Sequence, residues 1–260
     1  LLAAGMVRPL LGELGADTLT GGCGNDVLIG LAGDDLLRGC DGLDTAVFSA
    51  SRENYQVTGL GDAWAVSDLA GTEGTDTLSG IERLQFADMN LALDVSGNAG
   101  QVWRLLSSAF NTAPDPAELG VWISAMDHGI TLDQVASAIM GSARYISLHG
   151  SNPTDSQFVT DLYSSVLHRA PEAGRLDFWV SGLQSGAMNK TQVMLLFSES
   201  VEHMATVAPQ IASGITYFRP NPFAGAAGDD VLIGTGGADT LTGGSGNDVL
   251  IGLGGSDQID

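Results

Sequence analysis

The sequence predicts a multidomain α+β chain in which two parallel β-rolls flank a short antiparallel β cap and an all-α duplicated helical domain. Three observations predict it. A nine-residue phrase recurs in phase near both ends, and a fixed short period of this form marks a stacked β-roll. Between residues 45 and 96 that period gives way to alternation of apolar and polar residues, the strand pattern. From 97 to 218 apolar residues recur three and four apart, and one helical stretch repeats another at an offset of 57 residues.

The phrase is clearest in Gly243-Gly244-Ser245-Gly246-Asn247-Asp248-Val249-Leu250-Ile251 and in Gly21-Gly22-Cys23-Gly24-Asn25-Asp26-Val27-Leu28-Ile29. Units begin at Gly12, Gly21, Gly30 and Gly39, and again at Gly225, Gly234, Gly243 and Gly252. Place four is always glycine: Gly15, Gly24, Gly33, Gly42, Gly228, Gly237, Gly246 and Gly255. Place six is always aspartate: Asp17, Asp26, Asp35, Asp44, Asp230, Asp239, Asp248 and Asp257. Place eight is apolar throughout, which a disordered acidic linker would have no reason to preserve.

These residue types point to a hard cation. Glycine reaches backbone angles closed to other residues, so a six-residue turn can curl and aim its carbonyls inward. Calcium takes roughly six to eight oxygens from carboxylates and carbonyls. One turn with one aspartate supplies half a site. The phrase resembles the repeat of the RTX family of secreted bacterial proteins. That resemblance implies a three-residue strand after each turn, successive turns on opposite edges of a roll, and an ion shared by turns two units apart. It pairs Asp17 with Asp35, Asp26 with Asp44, Asp230 with Asp248, and Asp239 with Asp257. Gly15, Gly24, Gly33, Gly228, Gly237 and Gly246 complete the candidate calcium sites. One leucine per unit is little core to offset the ordering of so many glycines, and stacked aspartates repel. Folding of the rolls is therefore expected to be coupled to calcium.

The expected boundaries are a leading segment 1–11, roll one 12–47, a β cap 48–96, the helical domain 97–218, a linker 219–224 and roll two 225–260. The array is expected to continue past the ends of this chain. The leading segment lacks the basic start and cleavage site of a signal peptide. RTX proteins typically leave the cell by a type I route with an uncleaved C-terminal signal, so the resemblance implies an extracellular or cell-surface location.

With 31 Asp and Glu against 10 Lys and Arg, the formal charge is −21, which argues against nucleic-acid binding. No run of 18 apolar residues suggests a membrane span. Cys23 and Cys40 fall at variable places of units whose turns would share an edge. A disulfide is open to them across a strand gap of about 4.8 Å, as is the alternative of two incidental thiols.

In the cap, Tyr55–Thr58 and Ala63–Ser67 read as a hairpin around Gly59–Asp62. Ile81–Asp88 resembles a segment that often follows RTX repeats and is expected to close the open roll end with antiparallel strands. Asp76, Glu82 and Asp88 read as solvated turn residues in preference to added calcium ligands.

The helical domain contains two copies, about 100–146 and 157–204, each of about three helices. Leu105, Ser107, Ser108, Ala113, Pro114, Trp122 and Gly129 recur as Leu162, Ser164, Ser165, Ala170, Pro171, Trp179 and Gly186. With one insertion, Gln134-Val135 and Ser142 recur as Gln192-Val193 and Ser200. The second copy resembles a helical family of uncharacterised function found beside RTX repeats in bacterial surface proteins. It is also similar to the anchoring region of some S-layer proteins, which holds surface polysaccharide. Trp122 and Trp179 read as core residues in preference to sugar-stacking ones. Arg169 is expected to pair with Glu172 or Asp177. The four histidines have no metal spacing.

No G-x-S-x-G, H-E-x-x-H or P-loop is present, so no enzyme is expected within this chain. The expected role is a calcium-folded module of a secreted surface, adhesin or S-layer-like protein, with calcium as ligand and surface polysaccharide or other surface proteins as partners. The alternative is an accessory region of a secreted enzyme, aiding its secretion, folding and substrate positioning.

Overall fold

The computed structural model describes residues 8–219, 231–233, 240–244, 249–252 and 256–260. The chain is mixed α and β and divides into two compact units, Leu1–Asp94 with Thr216–Asp260, and Val95–Ile215.

In the first unit the strands fall where the repeat places seven to nine predict. They are β1 (Arg8–Leu11), β2 (Thr18–Thr20), β3 (Asp26–Ile29), β4 (Leu36–Arg38) and β5 (Thr45–Val47). The next strands are β6 (Tyr55–Gly59), β7 (Ala63–Asp68), β8 (Thr75–Ser79), β9 (Arg83–Gln85) and β10 (Asn90–Ala92). Strands two units apart pair in parallel: Leu10 lies opposite Leu28, Leu28 opposite Ala46, and Leu19 opposite Leu37. Of β1 to β5, the odd strands lie in one sheet and the even strands in another. Their place-eight side chains meet in one core, where Leu28, Leu37, Ala46, Leu78 and Leu84 are all fully buried. β1 begins the stack one strand earlier than the expected boundary at residue 12.

The cap differs from expectation. β8 pairs in parallel with β4, and β9 in parallel with β5, so both prolong the repeat sheets. Only then do antiparallel partners follow, β7 and β6 on one sheet and β10 on the other. The reason lies in the chain itself. Gly74-Thr75-Asp76-Thr77-Leu78-Ser79-Gly80 carries glycine, aspartate, leucine and glycine at places four, six, eight and one of a further unit. The β6–β7 hairpin is inserted ahead of it. Phe48, Tyr55 and Phe86, with ring centroids 5.2–5.4 Å apart, close the core at this end.

After the helices, β11 (Ile215–Tyr217) joins the odd sheet beside β10. In the second repeat block β12 (Val231–Ile233) pairs in parallel with β14 (Val249–Ile251), and β13 (Thr240–Leu241) with β15 (Gln258–Ile259). This is the same two-unit register, Leu232 opposite Leu250 and Leu241 opposite Ile259.

In the second unit, α1 (Asn98–Phe110), α2 (Pro116–Asp127), α3 (Leu132–Met140) and α4 (Ala143–His149) form the first copy. The second is α5 (Asp155–Ser165), α6 (Arg175–Gln184), α7 (Lys190–Ser198) and α8 (Val201–Ile211). Each copy therefore has four helices where about three were expected. The extra break falls at Ser142 and Ser200, whose hydroxyls accept the Tyr145 and His203 amides and start α4 and α8. The duplication extends to capping: Thr131 with Gln134, and Asn189 with Gln192, make matching reciprocal caps. Asn111 and His168, 57 residues apart, both take the left-handed conformation after their helices. The copies interlock, since α1 packs on α7 and α8 as well as on α2 and α3. Among the described residues, no helix is long and apolar enough to cross a membrane.

Candidate metal centre

The turns stack along two edges, and each edge carries a ladder of carboxylates. On one edge the Asp17 amide donates to Asp35 Oδ1 at 2.8 Å, and the Asp35 amide donates to Asp76 Oδ1 at 3.0 Å. On the other the Asp26 amide donates to Asp44 Oδ1 at 2.7 Å, and the Asp44 amide donates to Glu82 Oε2 at 2.8 Å. The structure thus brings together Asp17 with Asp35 and Asp26 with Asp44, the pairs the sequence singled out. Of the other expected ligands, Asp257 is half-buried. Asp230, Asp239, Asp248, Gly228, Gly237 and Gly246 lie outside the described residues, as do most of the expected linker residues.

The glycines at place four have a steric reason. Gly15, Gly24 and Gly33 have φ of +125°, +109° and +140°, a region that side chains avoid. A Cβ on Gly33 would lie 2.4 Å from the Gly15 backbone, so the turns stack backbone on backbone. Gly33→Ala is expected to lose at least about 1–3 kcal/mol from the stack. Thermal unfolding at saturating calcium would register it, whereas Gly15→Ala, which meets nothing within 4 Å, should cost less.

Sequence reasoning missed the cap's part in these ladders. Asp76, read as a solvated turn residue, is 4% exposed, and Glu82 is half-buried; Asp88 is exposed, as expected. It also missed place five. Asn25 Oδ1 accepts the Leu43 amide at 3.0 Å and Asp34 Oδ1 accepts the Thr75 amide at 2.8 Å, tying each turn to the next on its edge. The recurring Asn before Asp in the repeat phrase was the available signal.

Electrostatically the ladders are incomplete. Asp26, Asp35 and Asp44 are buried to within 3% exposure, and the Oδ2 atoms of Asp35 and Asp44 are buried without a hydrogen-bond partner. An unpaired buried carboxylate is costly. Burial pushes Asp44 up to about 6 and Asp76 up to about 7, each opposed by the amide it accepts and reinforced by neighbouring carboxylates. Glu82 is raised by burial as well. A carboxyl raised on folding binds more protons folded than unfolded, so its contribution favours the fold at low pH and fades as pH rises. The metal-free fold is therefore expected to gain stability between pH 7 and about pH 5, while protons displace bound cation over the same window. Strand signal of the calcium-stripped chain at each pH, read by far-UV circular dichroism, would measure the first effect, and a calcium titration at each pH the second.

Among the described residues no three His, Cys, Asp or Glu side chains form a metal-binding group. Side chains alone therefore do not make a site. Two carboxylates per step, with orphaned oxygens among glycine-rich turns, leave the remaining ligands to turn carbonyls, a donor set that suits calcium. Cys23 and Cys40 are exposed free thiols; Cys23 pairs with Asp41 in an isolated parallel bridge between turns.

In the helical unit Trp122 and Trp179 are half-buried, so neither is the core residue expected. The Trp179 indole donates to the Tyr163 hydroxyl at 3.3 Å, and its ring packs on Phe197. Arg169 pairs with Glu172, as expected, and also with Glu202 through two bonds of 2.7 and 2.8 Å, not with Asp177. In the first copy Arg144 replaces Glu202; it pairs with Glu118 and lies over the Phe110 ring. His203 is buried beside Ser107 and Ser108, and burial lowers its pKa.

Comparison with known families agrees with this geometry. A model of the RTX calcium-binding nonapeptide repeat (4 copies) matches residues 11–46 and 225–259. These blocks are thus calcium-binding repeats of the RTX type. A domain of unknown function, DUF4214, matches residues 136–207, which begin within α3 and end within α8. No curated protein matches the chain.

Proposed function

We propose that the chain is a non-enzymatic, calcium-folded module of a secreted bacterial surface, adhesin or S-layer-like protein. In this reading two parallel β-rolls and their cap form around calcium outside the cell, after type I export, and the helical domain makes the attachment. The orphaned buried oxygens of Asp35 and Asp44 carry the proposal, because they make the stack incomplete without a cation. Inside a cell calcium is scarce, and such a chain stays extensible for export. Outside, calcium reaches the range in which extracellular modules bind it.

Helix α6 supports the attachment role. None of its residues is buried, and Phe178, 55% exposed, stands beside half-buried Trp179. Aromatic faces of this kind stack on sugar rings. The test is cosedimentation of the chain with purified bacterial envelope polysaccharide at millimolar calcium. Retention that falls at least several-fold in Phe178→Ala is the expected result. No retention on any such polysaccharide would reduce the helical domain to a spacer.

A further inference from the structure

The two repeat matches end at residue 46 and resume at 225, yet both carboxylate ladders run on into the cap. We propose that Asp76 and Glu82 are the terminal calcium ligands of the first block, one on each edge, so that the cap is locked onto the repeats by the ions it helps to hold. The inference rests on the calcium reading of the repeats and extends it to residues outside them.

Three observations carry it. The amide-to-carboxylate bond that joins Asp17 to Asp35 is reproduced between Asp35 and Asp76, and the one that joins Asp26 to Asp44 between Asp44 and Glu82. The turn carbonyls continue with them: Gly15 N–H donates to Ala32 O, and Gly33 N–H donates to Glu73 O at 3.0 Å. Residues 73–80 therefore supply places three to nine and the following place one.

The third observation is where the unsatisfied oxygens lie. In the first two units the second carboxylate oxygen is taken by a turn amide, Glu13 to Asp17 at 2.6 Å and Gly22 to Asp26 at 2.7 Å. In the next two units it is not. There the place-two residues Leu31 and Cys40 hold φ of +74° and +80°, and Asp35 Oδ2 and Asp44 Oδ2 are buried without partners. These are the two aspartates whose next neighbours along the edge are Asp76 and Glu82. Backbone strain kept at two non-glycine residues, next to two orphaned oxygens, is the arrangement of a ligand clamp.

The edges differ in one respect. Glu82 follows Asp76 by six residues in place of nine, so its turn is short, and its side chain is longer by one methylene. The extra reach lets it meet the Asp44 amide from a truncated turn.

The test is calorimetric calcium binding to the metal-stripped full chain. Asp76→Asn and Glu82→Gln each keep an oxygen that can accept the ladder amide while removing the charge. Each is expected to bind about one ion fewer than the parent chain and to shift the calcium midpoint upward several-fold, with Asp88→Asn unchanged. A folded Asp76→Asn chain that binds as many ions as the parent, with the same midpoint, overturns the inference while leaving the calcium reading intact. A parent chain that binds no calcium overturns both. If Asp76→Asn gains no strand signal even at high calcium, Glu82→Gln decides. One ion fewer than the parent chain supports the clamp, and the parent's ion count and midpoint overturn it.

Discussion

Scanning calorimetry of the chain is expected to show two transitions, of which calcium moves only one. The calcium-dependent transition belongs to the repeat unit. Its core is one place-eight side chain per repeat strand, closed at the cap by Phe48, Tyr55 and Phe86, and its edges hold carboxylates buried to 0–4% exposure at Asp35, Asp44 and Asp76. Without a cation, the unpaired oxygens and the repulsion along each ladder oppose folding. With calcium the sign reverses. A site filled at about a hundred times its dissociation constant adds about 2.7 kcal/mol, and several sites in one stack act together. Chelator should therefore abolish this transition or lower it by tens of degrees. The helical transition should not move. Its unit has a separate core around Val102, Leu105, Leu106, Ile123, Val135, Ile139 and Val193, all nearly or fully buried. A single calcium-dependent transition containing all the heat would contradict this division.

The second large effect is expected inside the helical unit. Arg104 on α1 is 4% exposed and donates twice to Glu199, at 2.8 and 2.7 Å, and once to the Val95 carbonyl at 2.9 Å. It ties the first helix of one copy to the end of α7 in the other. Arg104→Ala would leave Glu199 partly buried and unpaired and remove a long stem from the core. Breaking a fully buried pair costs about 3–5 kcal/mol. Glu199 keeps a quarter of its side chain in solvent, so a loss of about 2–4 kcal/mol is expected, with the helical melting temperature lowered on the order of 10 °C. The loss should be the same with and without calcium. Arg104→Met with Glu199→Leu, which removes both charges, should recover part of it. A helical transition unchanged in Arg104→Ala would show that the pair contributes nothing to the interlock.

The repeat blocks were legible because three places in the unit each have one physical task. Place four must be glycine where backbones stack, place six must be the carboxylate, and place eight must fill the core. A fixed period then gives strand, register and ladder together. Asp76 was hidden by the β6–β7 hairpin, which sets it 41 positions from Asp35 where the period gives 18. Once the phase is broken, a lone Gly-Thr-Asp-Thr-Leu-Ser-Gly reads as an ordinary turn and strand. Glu82 was harder still, since both its spacing and its residue type depart from the unit. The leading strand escaped because Arg8-Pro9-Leu10-Leu11 follows no recognisable glycine turn, and only its register with Asp26–Ile29 identifies it. In the helices, the duplication was visible but the fourth helix was not. Gly141-Ser142 in the first copy and Glu199-Ser200 in the second interrupt one continuous apolar pattern, and the break is set by a single serine cap. Half-exposure of Trp122 and Trp179 depends on which neighbours cover α2 and α6, which periodicity within one helix does not encode.

The most direct test of calcium-coupled folding is a calcium titration of the metal-stripped chain, followed by far-UV circular dichroism with calorimetry in parallel. The account predicts helical signal at the start, strand signal rising over the same calcium range in which several ions bind, and loss of that gain on chelation. Strand signal already complete in the stripped chain, and unchanged as ions are added, would contradict it.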